Sequence, residues 1–93
     1  LDLAYRGGMD LQASADARVL LIERVGCHLC ADAHRVLDAV TAATGQRWVS
    51  VDVDASEALQ MEFGELVPVV LVDGVARGHW RLETAPILAA LRD

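Results

Sequence analysis

The sequence predicts a single α/β domain in which a central four-stranded mixed sheet is flanked by three helices, in the order β-α-β-α-β-β-α. Three observations carry that expectation: an unbroken apolar run at Val19-Leu20-Leu21-Ile22, a helical apolar repeat after it, and an Asp73-Gly74 pair between two strand-like runs. The first reads as a strand covered on both faces, the second as a crossover helix leading to a parallel partner, and the third as a tight antiparallel hairpin.

Each element follows in turn. Leu1 to Ala17 shows no period of either kind, so residues 1–17 are expected to be a disordered or non-native lead-in and residues 18–93 the domain. After Gly26, the residues Leu29, Ala33, Val36, Leu37 and Val40 recur at helical spacing, with Asp32, Arg35 and Asp38 opposite and Gly45 placed as the stop. Trp48 to Val53 alternates, with Val49, Val51 and Val53 on one face, which predicts a half-buried strand. Ser56 is a natural N-cap for a short helix through Leu59 and Met61 that ends near Gly64. Val67-Pro68-Val69-Val70-Leu71-Val72 reads as the next strand, with proline tolerated only at its start, and Val75-Ala76-Arg77 as its hairpin partner. Leu82, Ile87, Leu88 and Leu91 then mark a closing amphipathic helix with Pro86 in its first turn.

Composition excludes several function classes. A net charge of -6, with all eight basic residues Arg and none clustered, argues against nucleic acid as a partner. No apolar run approaches the roughly 18 residues a membrane span needs, and the first eighteen residues lack an apolar secretion block, so no membrane partner and a cytoplasmic location are expected. The absence of Lys removes lysine-activated mechanisms.

Chemistry centres on Gly26-Cys27-His28-Leu29-Cys30, placed where a buried strand hands over to a helix. Cysteines at i and i+3 of a first helical turn stand about 5–6 Å apart at Cα, a span a disulfide bridges with little strain. The first sulfur lies at the helix N-terminus, where free amides and the macrodipole favour an anion; such sites lower a thiol pKa from about 8.5 to between roughly 3.5 and 7.5. Cys27 is therefore the expected attacking thiolate, and Cys30, one turn deeper, the resolving thiol. A second element, Val67-Pro68, is expected beside the pair; a cis bond there would expose the Val67 amide and carbonyl to an extended substrate.

The whole ordering of strand, Cys-x-x-Cys helix, strand, helix, Val-Pro strand, Asp-Gly hairpin and final helix resembles the glutaredoxins of the thioredoxin superfamily over about Val19 to Arg92. Gly-Cys-His-Leu-Cys and the Val-Pro-Val strand are most similar to a bacterial glutaredoxin-like branch. The resemblance implies a thioredoxin-like fold and thiol–disulfide exchange through Cys27 and Cys30. It implies a protein or low-molecular-weight disulfide as substrate, no bound cofactor, and glutathione as a candidate co-substrate; the implied reductant is glutathione or a donor of the thioredoxin-reductase type. His28-Leu29 replaces the Pro-Tyr of typical dithiol glutaredoxins, and His79-Trp80-Arg81 follows Gly78 where those proteins carry Gly-Gly and an acidic residue. Arg24 matches a basic position just before the motif and is a candidate for a substrate carboxylate.

Candidate substrate-binding residues are thus Arg24, His28, Val67, Pro68, Gly78 and His79. Blander readings stand beside each. His28 is either a thiolate-stabilising imidazole or an exposed loop residue, Arg24 a steering group or a solvated charge, and Trp80 a substrate rim or, by a small margin, a packed aromatic. The alternative for the cysteines is a non-enzymatic module that holds a metal with His34 as third ligand, or that binds peptides along Val67-Pro68; the favoured reading places no metal, with His34 a solvated flank residue.

Overall fold

The computed structural model describes residues 17–92, so the expected lead-in lies outside the described residues except for Ala17. Among the described residues the chain forms β1 (Val19–Glu23), α1 (His28–Thr44), β2 (Trp48–Asp52), a 3-10 turn (Val53–Ala55), α2 (Glu57–Phe63), β3 (Val69–Val72), β4 (Val75–His79) and α3 (Thr84–Arg92). The strands make one sheet in the order β2-β1-β3-β4. β1 runs parallel to β2 and antiparallel to β3, and β3 is antiparallel to β4. This is the thioredoxin-like arrangement expected from the sequence.

Alternation along the strands builds a core on each face. Val19 and Leu21 of β1 join Val70 and Val72 of β3 against Ala33, Leu37 and Val40 of α1 and Ile87 and Ala90 of α3. The intervening residues, Ile22, Val69 and Leu71, meet Val51, Val53, Leu59 and Phe63 on the α2 side. β3 is buried at all of its residues because helices cover it front and back.

Local signals fix the element ends. Gly45 takes φ +79° and sends its N–H to the Thr41 carbonyl at 2.8 Å, closing α1 in a left-handed conformation that disfavours any residue with a Cβ. Ser56 Oγ accepts the Leu59 N–H at 3.1 Å and starts α2. Asp73 and Gly74 have φ values of 52° and 84°, the pair of positive angles a type I′ hairpin turn requires.

Two boundaries differ from the sequence reading. β3 begins at Val69 rather than Val67, with the cis Val67–Pro68 peptide lying just ahead of it. β4 extends to His79 because a bulge shifts the register between Val70 and Leu71, so that Val70 faces Gly78 while Leu71 faces Ala76.

The end of the sheet holding the hairpin turn is tied down by Arg18. Its guanidinium meets Asp73 through Nε at 3.0 Å and Nη2 at 2.8 Å, and Nη1 donates to the Leu91 carbonyl of α3 at 3.3 Å. The hydrogen bond and charge of Arg18 hold the Asp73 carboxyl below its ordinary range, and Asp73 in return raises the Arg18 pKa.

Candidate active site

The opposite end of the sheet gathers the chemistry. β1 and β2 finish there, and β3, being antiparallel to β1, begins there, with Val69 paired to Ile22. β4 ends there too, with His79 paired to Val69. Topology alone therefore brings Arg24 and Cys27, Val67 and Pro68, and Gly78 and His79 to one rim.

Cys27 is the N-cap of α1, with φ -83° and ψ 119°, and its Sγ accepts the Cys30 N–H at 3.2 Å. The sulfur thus occupies the place that a Ser or Asp oxygen takes in an ordinary cap, at the positive end of a 17-residue helix. No acidic residue lies in the first turn of α1 to oppose negative charge on it. Cys27 and Cys30 are joined as a disulfide, with Cα atoms 5.3 Å apart. Access divides the pair: Cys27 is half-buried, whereas Cys30 is only 4% exposed.

The remaining predicted residues divide between open and engaged. His28 and His79 are exposed at the rim. Val67 is half-buried and Pro68 buried, and the Pro68 carbonyl accepts the Trp80 N–H at 2.9 Å, tying the end of β4 to the Val67–Pro68 segment. Gly78 is half-buried, and a Cβ there would sit 3.4 Å from Leu82 Cδ2 and 3.7 Å from Val70 Cγ1, so this glycine fits the bulged strand closely over the core. Arg24 reaches Asp54 through Nε at 3.1 Å and donates from Nη1 to the Gly64 carbonyl at 3.0 Å. Its guanidinium braces the loop before Cys27 against the 3-10 turn ahead of α2 and the glycine that ends α2.

Trp80 reads otherwise from sequence, and His34 gains partners that the sequence did not show. Trp80, expected by a small margin to be packed, is 52% exposed, at φ +61°, with its indole N–H on the Glu65 carbonyl at 3.0 Å. A left-handed backbone turns the chain outward after β4, so the ring lies over the surface instead of entering the core. His34, expected to be solvated on the helix flank, keeps a side chain 44% exposed while it meets Glu23 Oε1 at 2.7 Å and rests against the Trp48 ring at a centroid distance of 4.9 Å; Glu23 also takes the Ser50 hydroxyl. The metal set of Cys27, Cys30 and His34 is not assembled: among the described residues no three His, Cys, Asp or Glu side chains form a group able to hold a metal ion.

Sequence reasoning weighed His79 and Trp80 as a substrate rim but passed over the apolar residues around them. Val25 is 89% exposed directly before the motif, and a shallow depression of about 420 Å³ is lined by Leu29, His79, Trp80 and Arg81. The run of His79-Trp80-Arg81 after a Gly was the available signal.

Known proteins share sequence and fold with this chain. A family model described as glutaredoxin-like domain (DUF836) matches residues 18–92. The chain belongs to this glutaredoxin-like family. An uncharacterized protein of Mycobacterium tuberculosis is 31% identical to the glutaredoxin-like chain over 71 residues, 71% of this chain and 73% of that protein. A structural-genomics target protein from X. campestris is 31% identical with a TM-score of 0.63, covering 80% of this chain and 95% of that one. Glutaredoxin C1 from Populus tremula x tremuloides, in its holo form, shares the fold at a TM-score of 0.56 and 20% identity, covering 99% of this chain and 98% of its own. Among the described residues, no helix of the glutaredoxin-like domain is long and apolar enough to cross a membrane.

Proposed function

We propose that this glutaredoxin-like domain is a thiol–disulfide oxidoreductase in which Cys27 attacks and Cys30 resolves. The observation that carries the reading is the division of the Cys pair. One sulfur caps the helix and is partly open, and its partner is one turn below and 4% exposed.

In the reduced protein the Cys27 thiolate attacks one sulfur of a substrate disulfide. A bond forms between Cys27 Sγ and that sulfur, the substrate S–S bond breaks, and the second substrate sulfur leaves as a thiolate that takes up a proton. Cys30, as a thiolate, then attacks Cys27 Sγ, releases the first substrate sulfur and forms the Cys27–Cys30 bond. Two electrons pass from the dithiol to the substrate. A dithiol reductant or two molecules of glutathione returns them, and a reducing compartment such as the cytoplasm is the setting this cycle needs.

Substrate recognition falls to the rim. The Val67 backbone, ahead of β3, offers an extended substrate a strand-like edge. His28, directly after Cys27, and His79, at the end of β4, both stand exposed. Arg24, whose fork is engaged by Asp54 and the Gly64 carbonyl, supports the loop and meets a substrate carboxylate only by exchanging those partners.

The test is a pair of variants assayed for reduction of a disulfide substrate. Cys27→Ser is expected to abolish exchange, and Cys30→Ser to accumulate a mixed disulfide visible as a mass adduct that dithiothreitol removes. Retained turnover in Cys27→Ser overturns the proposal.

A further inference from the structure

The segment after β4 breaks a local rule. Trp80 holds φ +61°, a region that disfavours every residue with a Cβ, and it keeps a large ring 52% exposed. The ring is nonetheless fixed: the Trp80 backbone N–H is bonded to the Pro68 carbonyl at 2.9 Å and the indole N–H to the Glu65 carbonyl at 3.0 Å. His79 meets it edge to face, with centroids 4.9 Å apart and planes at 75°. An aromatic that is oriented by two hydrogen bonds and left uncovered is pre-organised for a partner and contributes little to the core.

The position of the ring names the partner. Leu29, the residue directly before Cys30, lines the depression together with His79, Trp80 and Arg81, so one of its walls is the turn of chain that carries the Cys pair. Among the described residues Arg81, like Arg47, Arg77 and Arg92, takes no ion-pair partner, whereas Arg18, Arg24 and Arg35 meet Asp73, Asp54 and Asp32. Val25 adds an exposed apolar side chain on the other flank of Cys27 in sequence. In a chain of net charge -6, this rim presents an aromatic, two aliphatic residues and an unpaired cation.

We infer that Leu29, His79, Trp80 and Arg81 form a specificity subsite for a polypeptide disulfide, taking an aromatic or large aliphatic side chain next to the substrate cysteine and a carboxylate beyond it. The inference rests on the oxidoreductase reading and deepens it. A tripeptide thiol, with no large apolar side chain, leaves the Trp80 face empty.

Three substrates separate the two levels of the claim: a small hydroxyalkyl disulfide, a peptide disulfide with Gly beside its cysteine, and the same peptide with Leu or Trp there. Reduction of the small disulfide reports on the Cys27–Cys30 chemistry alone. The wild-type protein is expected to prefer the Leu or Trp peptide over the Gly peptide by roughly tenfold in kcat/KM, the size of a single well-placed contact. Trp80→Ala is expected to remove that preference, read as the ratio of kcat/KM for the two peptides in the same preparation, and Trp80→Phe to keep most of it. Arg81→Ala is expected to raise KM for a peptide with Glu after the apolar residue, and not for its Gln counterpart. Equal kcat/KM for the Gly and Leu or Trp peptides in the wild-type protein overturns the subsite while leaving the oxidoreductase reading intact. That comparison needs no variant to fold. Failure on the small disulfide removes the reading beneath both.

Discussion

The two ends of the sheet are built from opposite materials. At the hairpin end, Asp73-Gly74 follows the turn rule, Arg18 spans Asp73 and the Leu91 carbonyl, and polar groups find partners close by. At the other end a sulfur stands where a capping oxygen is usual, Trp80 occupies a backbone region suited to glycine, and Val25 is 89% exposed. The same strands run between them, so the difference is not one of scaffold. Local rules are kept where the molecule is held together and broken at the end proposed to carry the chemistry.

The comparison breaks most sharply at Cys27. Cys27→Ala is expected to lower disulfide exchange to background and to destabilise the reduced protein by only about 0.5–2 kcal/mol, the size of a lost N-cap, read from urea unfolding against the reduced wild type. Leu21→Ala, in β1 and 0% exposed between the ends, should cost about 2–5 kcal/mol in the same unfolding experiment, with activity following the folded fraction. Arg24→Ala tests the brace beneath the reactive loop. The Arg24–Asp54 pair is partly exposed, so the loss of stability should stay within about 1 kcal/mol, checked by thermal unfolding at two salt concentrations.

The smallest effect belongs to the hairpin end. Arg18 lowers the folded-state pKa of Asp73 below the unfolded value of about 3.9, so the ionised carboxylate stabilises the fold above that value, and the contribution is lost as pH falls through the lower folded pKa. Asp73→Asn is therefore expected to unfold at slightly lower temperature than wild type from neutral pH down to about pH 5, with the gap closing below about pH 4. A gap that persists in strong acid contradicts the ion-pair account. Disulfide exchange should be unchanged in this variant throughout.

Much of the fold was legible because short-range patterns decided it. Val19-Leu20-Leu21-Ile22 has no polar residue to spare for solvent, and it became an interior strand; Gly45 and Ser56 ended and began their helices where their backbone and side-chain chemistry required. The Cys27–Cys30 pair was legible for the same reason, since its spacing brings the two sulfurs together on a first helical turn. What could not be read depended on register across the chain. The bulge that lengthens β4 adds a residue without disturbing any hydrophobic count, and the Glu23–His34 contact needs the end of β1 set against the flank of α1. Trp80 was misjudged because aromatic composition speaks for burial, whereas its left-handed backbone turns the ring outward.

The account stands on an activated sulfur at the start of α1. Rates of alkylation of reduced protein with iodoacetamide, followed from pH 4 to pH 10 with Cys30→Ser as background, report the Cys27 titration directly. The helix N-terminus and the donated amide predict a midpoint between roughly 3.5 and 7.5. A midpoint near the free-cysteine value of about 8.5 would contradict it.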